Sequence, residues 1–203
     1  MDHQLHSPPS HPLRDWLARW TLVCAAGLAA SGALAPRQAA AQSAGALALE
    51  RQVKAAFIYK FLGYTEFPTA AFADAASPIV IGVTGADEMA AELARIVAGR
   101  TVNGRPIVVR ALREQELGGT LHLLFVAGGD SAHTARIVKA ASGALLVVSE
   151  CDNGLQQGSV INFRIVDERV RFDVSLDAAE RNNVKLSSRL LTVANRVQKG
   201  TQP

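Results

Sequence analysis

Cysteine is scarce in this sequence of 203 residues, which contains only Cys24 and Cys151. Cys24 lies in an N-terminal segment that we expect to be removed, and the remaining chain then has no second cysteine for an internal disulfide. Cys151 is either a small buried apolar group or an exposed thiol able to link two chains. A fold held together by internal disulfides is therefore excluded.

The sequence also has little excess of charge of either sign and few residues in recognisable catalytic motifs. The formal net charge of +3 falls to +2 when the first 41 residues are set aside, which excludes a strongly basic nucleic-acid-binding arm. Beyond that segment the only histidines are His122 and His133, and neither has Asp or Cys at metal-ligand spacing. A nucleophile elbow, an H-E-x-x-H motif and a P-loop are all missing. Pairing of Cys151 with either histidine stays geometrically open, but we predict no enzyme activity, no metal and no cofactor.

The N-terminal segment has the pattern of a secretory leader. Two arginines precede an uncharged run at residues 21–35, and a small-x-small exit follows at residues 39–41. The run is shorter than the about 20 residues that a membrane-spanning helix needs. We predict a cleaved signal peptide at residues 1–41, a mature domain at residues 42–203 and a location outside the cytosol. An uncleaved membrane anchor is the alternative.

The mature chain begins with helical spacing of apolar residues and continues with short β-branched runs that alternate with helices. A first helix is predicted over residues 49–64, with Phe57 and Phe61 on its apolar face. Further strands are predicted over residues 78–83, 106–112, 121–127 and 144–149, and further helices over residues 87–97 and 130–141. This alternation implies right-handed crossovers and a largely parallel sheet.

Residues 160–166 and 169–176 change to the strict alternation of an antiparallel hairpin centred on residues 167–168. Any even loop at this centre pairs Phe163 with Phe172 on one face of the hairpin. The other face then carries two pairs, Arg164 opposite Arg171 and Asn162 opposite Asp173.

Two short helices are predicted to end the chain. Asp177, followed three residues later by Glu180, gives a capping-box pattern for a helix that ends near residues 182–183. A last helix from about Ser187 should bury Leu190, Leu191, Ala194 and Val197. The predicted fold class is therefore a single α/β domain, with a mixed, mostly parallel sheet flanked by helices and a C-terminal antiparallel hairpin and helix.

The arginine pair is the first candidate binding feature. Like charges directly opposite each other on a sheet repel, so an anionic group should lie near Arg164 and Arg171. Asp173, Glu150, Asp152, a ligand or a partner could supply it, and a solvated face that carries both charges is the alternative. We predict that this polar face, which also holds Asn162, binds a partner or a small anion.

Two other features allow binding. The broad apolar face of the first helix, with Phe57 and Phe61, is a second candidate surface, and burial of both rings in the core is the alternative. Turns at Gly85 and Gly129 could cradle an anion at helix N-termini, although glycines at such turns also serve simply to make them tight. The residues thus support either a protein-binding regulator or a small-solute, anion-binding protein.

Six segments resemble, in order and spacing, a known family of periplasmic proteins, the YfiR-like family. The opening helix reads KAAFIYKFLGYTEFP, close to the family's A-F-[ILV]-Y run that ends in an aromatic residue and Pro. The others are GRPIVVR at 104–110, LLFVA at 123–127, LLVVSE at 145–150, QGSVINF at 157–163 and RVRFDVSLDAAERNNVKLSSRLLTVANRV at 169–197. The resemblance covers nearly the whole mature chain.

The resemblance implies a periplasmic, often dimeric α/β domain that regulates and does not catalyse. It implies a partner in the inner membrane, the periplasmic sensor domain of a YfiN-type diguanylate cyclase or a related receptor, and an outer-membrane lipoprotein as a second partner. Repression of such a cyclase would lower cyclic di-GMP and biofilm formation.

Two departures from the family pattern limit what is carried over. Some members form internal disulfides, which this mature chain cannot, so redox control of that kind is absent or intermolecular. Before the last helix, relatives often have Gly where this chain has Asn182-Asn183. Because Asn tolerates the left-handed conformation, we expect the turn to survive.

Overall fold

The computed structural model describes residues 35–200, with side chains from residue 44, and has the α/β architecture that the sequence predicts. The chain divides into residues 1–47 and residues 48–203. Only helical residues 35–47 of the first unit are described, whereas the second unit contains every described strand. The predicted signal peptide lies almost wholly outside the described residues, and its cleavage stays a prediction.

The elements follow the predicted order. The helices are α1 (Ala35–Gly63), α2 (Asp87–Val97), α3 (Ser131–Ala140), α4 (Leu176–Arg181) and α5 (Ser188–Val193). The strands are β1 (Thr65–Glu66), β2 (Ile79–Thr84), β3 (Thr101–Val102), β4 (Arg105–Leu112), β5 (Leu123–Val126), β6 (Leu146–Ser149), β7 (Ile161–Val166), β8 (Arg169–Ser175), β9 (Lys185–Leu186) and β10 (Arg196–Gln198). The predicted first helix is therefore part of a longer one, and β1, β3, β9 and β10 were not predicted.

The main sheet has eight strands in the order β10-β8-β7-β6-β5-β2-β4-β3, and β1 pairs separately with β9. Strands β4, β2, β5, β6 and β7 are mutually parallel, whereas β3 and β8 are antiparallel to their neighbours β4 and β7. The parallel centre is buried on both faces, and the fully buried patterns of β2, β5 and β6 match what such strands require.

Two apolar clusters cover the two faces of the sheet. The larger one joins α1, α2 and α4 to the inward residues of the strands, with Phe61, Leu93 and Phe125 among its largest members. The smaller one lies under α3 and includes Leu124 and Ile137. Helices on both faces confirm the crossover arrangement expected from alternating strands and helices.

Local capping explains where the helices begin. The Asp130 carboxylate accepts hydrogen bonds from the backbone N–H groups of Ala132 and His133, which starts α3 as predicted. The predicted cap of helix α4 is wrong. The capping residue is Ser175, whose hydroxyl accepts a hydrogen bond from the N–H of Ala178, and not Asp177. At the end of this helix Asn183 has a φ of 51°, so the expected left-handed turn is present.

The predicted burial of Val197 in the last helix is wrong. Helix α5 ends at Val193, and Val197 lies in β10 with 39% of its surface exposed. The chain extends after the helix because the N–H of Asn195 donates to Phe172 O, which starts parallel pairing of β10 with β8. Leu190 is buried as expected, whereas Leu191 and Ala194 are half-buried.

Candidate functional site

The β7–β8 hairpin has a buried inner half and an exposed outer half. Its register is the predicted one, with Phe163 opposite Phe172 and Arg164 opposite Arg171. Strand β7 pairs with β6 only at Ile161 and Asn162, so beyond that point the two hairpin strands are paired only with each other among the described residues. We call residues 164–171 the hairpin arm.

Aromatic packing fastens the inner half of the hairpin to α1. The Phe61 ring, 1% exposed, lies 4.9 Å from the Phe172 ring and 5.8 Å from the Phe163 ring, measured between centroids. The half-buried Phe57 ring lies 5.6 Å from Phe172 and 5.9 Å from Phe61. Both phenylalanines singled out in the sequence thus contribute to the core of this chain, and they position the strand from which the arm extends.

Asn162 and Asp173 are buried and already have hydrogen-bond partners. Asn162 Oδ1 accepts from Ser149 Oγ at 2.7 Å, and Asn162 Nδ2 donates to the carbonyl of Cys151 at 3.0 Å. Asp173 Oδ1 accepts from Asn195 Nδ2 at 2.7 Å. These two residues therefore hold neighbouring chain segments against the hairpin, since each buried polar group needs such a partner.

The two arginines lie on the surface of the arm. Arg164 Nη1 is 4.0 Å from Asp152 Oδ1, and Asp152 is one of the three acidic neighbours that the sequence analysis offered. The other two candidates are engaged elsewhere, Asp173 with Asn195 and Glu150 with Lys54. Among the described side chains, no carboxylate lies within salt-bridge distance of Arg171.

A cleft of about 270 Å³ lies beside the arm, at the carboxyl end of β6. Its floor is an ion cluster that sequence reasoning missed: Lys54 Nζ lies 2.6 Å from Glu150 Oε2 and 2.5 Å from Glu50 Oε1. The N–H of Gly128 donates to Glu150 Oε1 at 2.8 Å. Burial alone would lower the pKa of Lys54, but the hydrogen bonds to Glu150 and Glu50 outweigh it and raise that pKa. The cluster joins α1 to the ends of β5 and β6 beneath the arm.

A signal for this cluster was present in the sequence. Lys54 precedes Phe57 by three residues and Phe61 by seven, so helical spacing places the lysine on the buried stripe of α1. A lysine on such a stripe requires an acidic partner, because a buried charge is costly unless it is paired. The partner Glu150 lies 96 residues away, and only the fold brings it there.

Close packing fixes the backbone of the loop that carries Asp152. The loop of residues 151–158 approaches β6 and β7 at Gly154, where an added Cβ would collide with Ser149 Oγ and Asn162 Oδ1. Ser131 Oγ donates to the carbonyl of Asp152, which fixes the loop from the side of α3. Cys151 is buried and free, which confirms its interpretation as a small apolar group.

The turns proposed as anion cradles have competing carboxylates. At the Gly129 turn, Asp130 already occupies the N–H groups of Ala132 and His133. At the Gly85 turn, a crevice of about 370 Å³ is lined by Asp87 and Glu114 but also by Arg113 and His133, so its lining has no excess of positive charge to attract an anion. The amides at the Gly129 turn are thus engaged, and the charges that line the Gly85 crevice are of both signs.

Residues 35–200 contain no cluster of three or more His, Cys, Asp or Glu with metal-site geometry. His122 is buried, with Nδ1 accepting from the N–H of Val80 at 3.1 Å and Nε2 lying 3.1 Å from Ala71 O. His133 Nδ1 lies 3.2 Å from Glu114 Oε1 at the surface.

Comparison with known families agrees with this arrangement. The sequence model of the YfiR/HmsC-like family matches residues 51–195. This range includes the second half of α1, every element from β1 to the end of α5, and the whole hairpin arm. The chain belongs to the YfiR/HmsC-like family. Comparison with curated proteins gives no match.

Membership confirms the resemblance drawn from the six sequence segments. The YfiR/HmsC-like family is regulatory and not catalytic, and it indicates a periplasmic protein of cyclic di-GMP signalling that interacts with a membrane signalling protein. None of the described helices is both long and apolar enough to cross a bilayer. The hairpin arm and its cleft place exposed charge beside exposed apolar surface in this YfiR/HmsC-like domain.

Proposed function

We propose that this protein binds the periplasmic domain of an inner-membrane diguanylate cyclase of the YfiN type and holds the cyclase inactive. Cyclic di-GMP and biofilm formation then fall, and an outer-membrane lipoprotein that sequesters the regulator would release the cyclase. The observation that carries the proposal is the hairpin arm, which extends from a firmly packed base. Its two arginines face each other, and among the described side chains only Arg164 has a carboxylate, that of Asp152, within salt-bridge distance.

The composition of the arm suits a protein interface. Ile165 is 52% exposed and Val166 is 36% exposed, and both lie between the charges of Arg164 and Arg169. Exposed aliphatic side chains beside arginines are typical of interface centres, because arginine combines apolar packing with several hydrogen-bond donors. The arm therefore fits a receptor surface that presents carboxylates around an apolar patch.

The energetic demand on this interface is substantial. A regulator that moves a two-state receptor from mostly active to mostly inactive must bind the inactive state better by about 5 kcal/mol. The firm attachment of the arm helps to meet this demand, because a surface that is already ordered loses less conformational entropy on binding. The Phe61 packing and the Asn162 hydrogen bonds supply that order.

Deletion of the gene tests the regulatory role. We expect cyclic di-GMP and biofilm to rise, and an unchanged cyclic di-GMP level across growth conditions would contradict cyclase repression.

Substitution tests the surface. Arg171→Glu should abolish repression and weaken binding to the purified periplasmic domain of the cyclase at least tenfold, because it replaces a cation on the arm by an anion. Arg189→Glu, on the exposed surface of α5, is the matched control and should bind normally. Equal loss in both variants, or in neither, would remove the arm from the interface.

A further inference from the structure

The segment that links β1 to β2, residues 68–78, is lightly attached to the domain, and we call it the strap. Every side chain of the strap is exposed or half-buried. Among the described residues, its hydrogen bonds to the rest of the domain come from two side chains. Arg105 Nη1 donates to two of its carbonyls, at 2.8 Å each, and His122 Nε2 lies 3.1 Å from Ala71 O. The position of the strap therefore depends on these two side chains.

The aromatic ring of Phe72 completes this attachment. It stacks on the His122 ring, with 4.3 Å between the ring centroids and 17° between the ring planes. The guanidinium carbon of Arg105 lies 3.8 Å from the centroid of the same Phe72 ring, which is within the range of a cation–π contact. Movement of the His122 ring would thus take both a stacking contact and a hydrogen bond away from the strap.

The hydrogen bonds of His122 fit only the neutral form of its ring. Nδ1 accepts from the backbone N–H of Val80 at 3.1 Å, so Nε2 carries the proton that is donated to Ala71 O. In a protonated histidine both nitrogens are donors. Protonation would place an N–H group against the Val80 N–H, and a buried donor without an acceptor is costly. The ring then has to turn away from Val80, and the same rotation breaks its contacts with Ala71 and Phe72.

The surroundings of His122 do not compensate a positive charge. Burial lowers the pKa of His122, and the positive charge of Arg105 on β4 lowers it further, whereas the hydrogen bond to the strap carbonyl raises it. The acidic residues of β1 and of the strap, Glu66 and Asp74, are exposed. The neighbouring strands β2, β5 and β6 contain no charged residue. Among the described side chains, no carboxylate lies within salt-bridge distance of His122.

We propose that the strap is an acid-released clasp, in which protonation of His122 frees residues 68–78 while the sheet and the hairpin arm stay folded. His122 precedes β5 at the amino end of the parallel strands, whereas the arm extends beyond the pairing of β7 with the carboxyl end of β6. Release of the strap therefore does not depend on the cyclase as partner. It exposes Phe72 at the end of the sheet that lies opposite the arm.

The direction of the pH dependence follows from the two states of the strap. With the strap released, His122 is in contact with water and its pKa returns to the ordinary value of 6.5. With the strap closed, the pKa is lower, so the released state binds the proton better. Release becomes more favourable as the pH falls below 6.5, by at most about tenfold for each pH unit, until the closed state is itself protonated.

Hydrogen exchange of the processed protein tests the clasp. The Val80 amide is the most direct probe, because its N–H donates to His122 Nδ1. After correction for intrinsic exchange rates, the protection of Val80 and of the strap amides should fall about fivefold or more between pH 7.5 and pH 5.5. Low urea concentrations should not change this exchange, since a local opening exposes little surface. The amide of Phe125, in the centre of the sheet, should be better protected and should respond to urea.

Two histidine variants separate the titrating group from the rest of the chain. His122→Gln removes the ionisable ring and should abolish the pH dependence of strap exchange. His133→Gln changes the other histidine of the processed chain. It is the matched control and should keep the full response.

Nuclear magnetic resonance of the unaltered protein gives a second test that needs no variant. The ring nitrogens of His122 and the Val80 amide should titrate together, with one midpoint below pH 6.5. A Val80 signal that does not follow the histidine would overturn the proposal. So would strap exchange that does not change with pH, a response that persists in His122→Gln or is lost in His133→Gln, or equal protection of Val80 and Phe125 at every pH.

Discussion

The inner and outer halves of the β7–β8 hairpin share one register but differ in what determines their conformation. The inner half is held by Phe61 on one face and by the Ser149–Asn162 hydrogen bond on the other. The outer half, residues 164–171, has exposed or half-buried side chains and a turn of two residues with positive φ. The difference teaches that substitutions in the inner half should act on folding, and substitutions in the outer half on binding.

Truncation of the inner aromatic packing should give the largest effect. We expect Phe61→Ala to lower the free energy of unfolding by about 3–5 kcal/mol, because it leaves a cavity between α1 and the hairpin. Urea denaturation measures this loss. Ile165→Ala on the arm is the control and should change stability by no more than about 0.5 kcal/mol. Similar losses in both variants would erase the distinction between the halves.

Loss of the buried hydrogen bond should give the next largest effect. Ser149→Ala removes the hydroxyl that donates to Asn162 Oδ1, and an unsatisfied buried acceptor costs about 1–3 kcal/mol. The same denaturation experiment detects it. Stability equal to that of the unchanged protein would mean that water or a shifted side chain replaces the donor.

Acidification should affect the stability of the domain and the binding by the arm to different extents, because a buried histidine titrates in the core. Burial lowers the pKa of His122, the positive charge of Arg105 also lowers it, and the hydrogen bond to Ala71 partly opposes both. The unfolded chain therefore takes up a proton at a higher pH than the folded one, and stability should fall as the pH drops below the ordinary histidine value of 6.5.

The arginines of the arm keep their charge over that range. We therefore expect receptor binding by the folded fraction to change less than the free energy of unfolding. The control is His122→Gln, which should flatten the pH dependence of unfolding. A slope that persists in this variant would assign the effect to another group.

A substitution in the turn of the arm should raise stability, whereas the substitutions in the inner half should lower it. Asp167 and Glu168 have φ values of 50° and 59°, a conformation that costs non-glycine residues about 1–2 kcal/mol. Glu168→Gly should therefore stabilise the protein by about 0.5–1 kcal/mol in thermal unfolding. Glu180→Gly, within α4, is the matched control and should destabilise by about 1 kcal/mol. A loss of stability in both variants would contradict the strain assigned to the turn.

The smallest stability effect is expected at the arginines themselves. Removal of one positive charge by Arg171→Ala should leave the free energy of unfolding within about 0.5 kcal/mol, because the side chain is exposed. Receptor binding is the sensitive measurement for this variant. Destabilisation with intact binding would reverse the roles that we assign to the two halves.

Much of the fold was predictable because its signals are local. Alternation fixed the hairpin register through Phe163 and Phe172, and Asp130 marked the start of α3. The failures arose where a distant partner decides the structure. Val197 has helical spacing from Leu190. The N–H of Asn195, however, donates a hydrogen bond to the carbonyl of Phe172, and the chain continues as a strand.

The candidate site was predictable only in part for the same reason. Alternation placed Asn162, Arg164, Arg171 and Asp173 on one face of the hairpin, but pattern alone could not tell that only the two arginines reach solvent. The Lys54–Glu150 pair escaped notice because 96 residues separate its members.

The sequence by itself determined the family, the alternation of strands and helices, the hairpin register and the absence of an internal disulfide in the predicted mature chain. These follow from residue order, periodicity and composition. Only the tertiary structure decided which polar residues are buried and which acidic group neighbours Arg164. Those properties depend on contacts between segments far apart in the chain. Periodicity can place a residue such as Lys54 on a buried stripe, but it does not identify the distant partner.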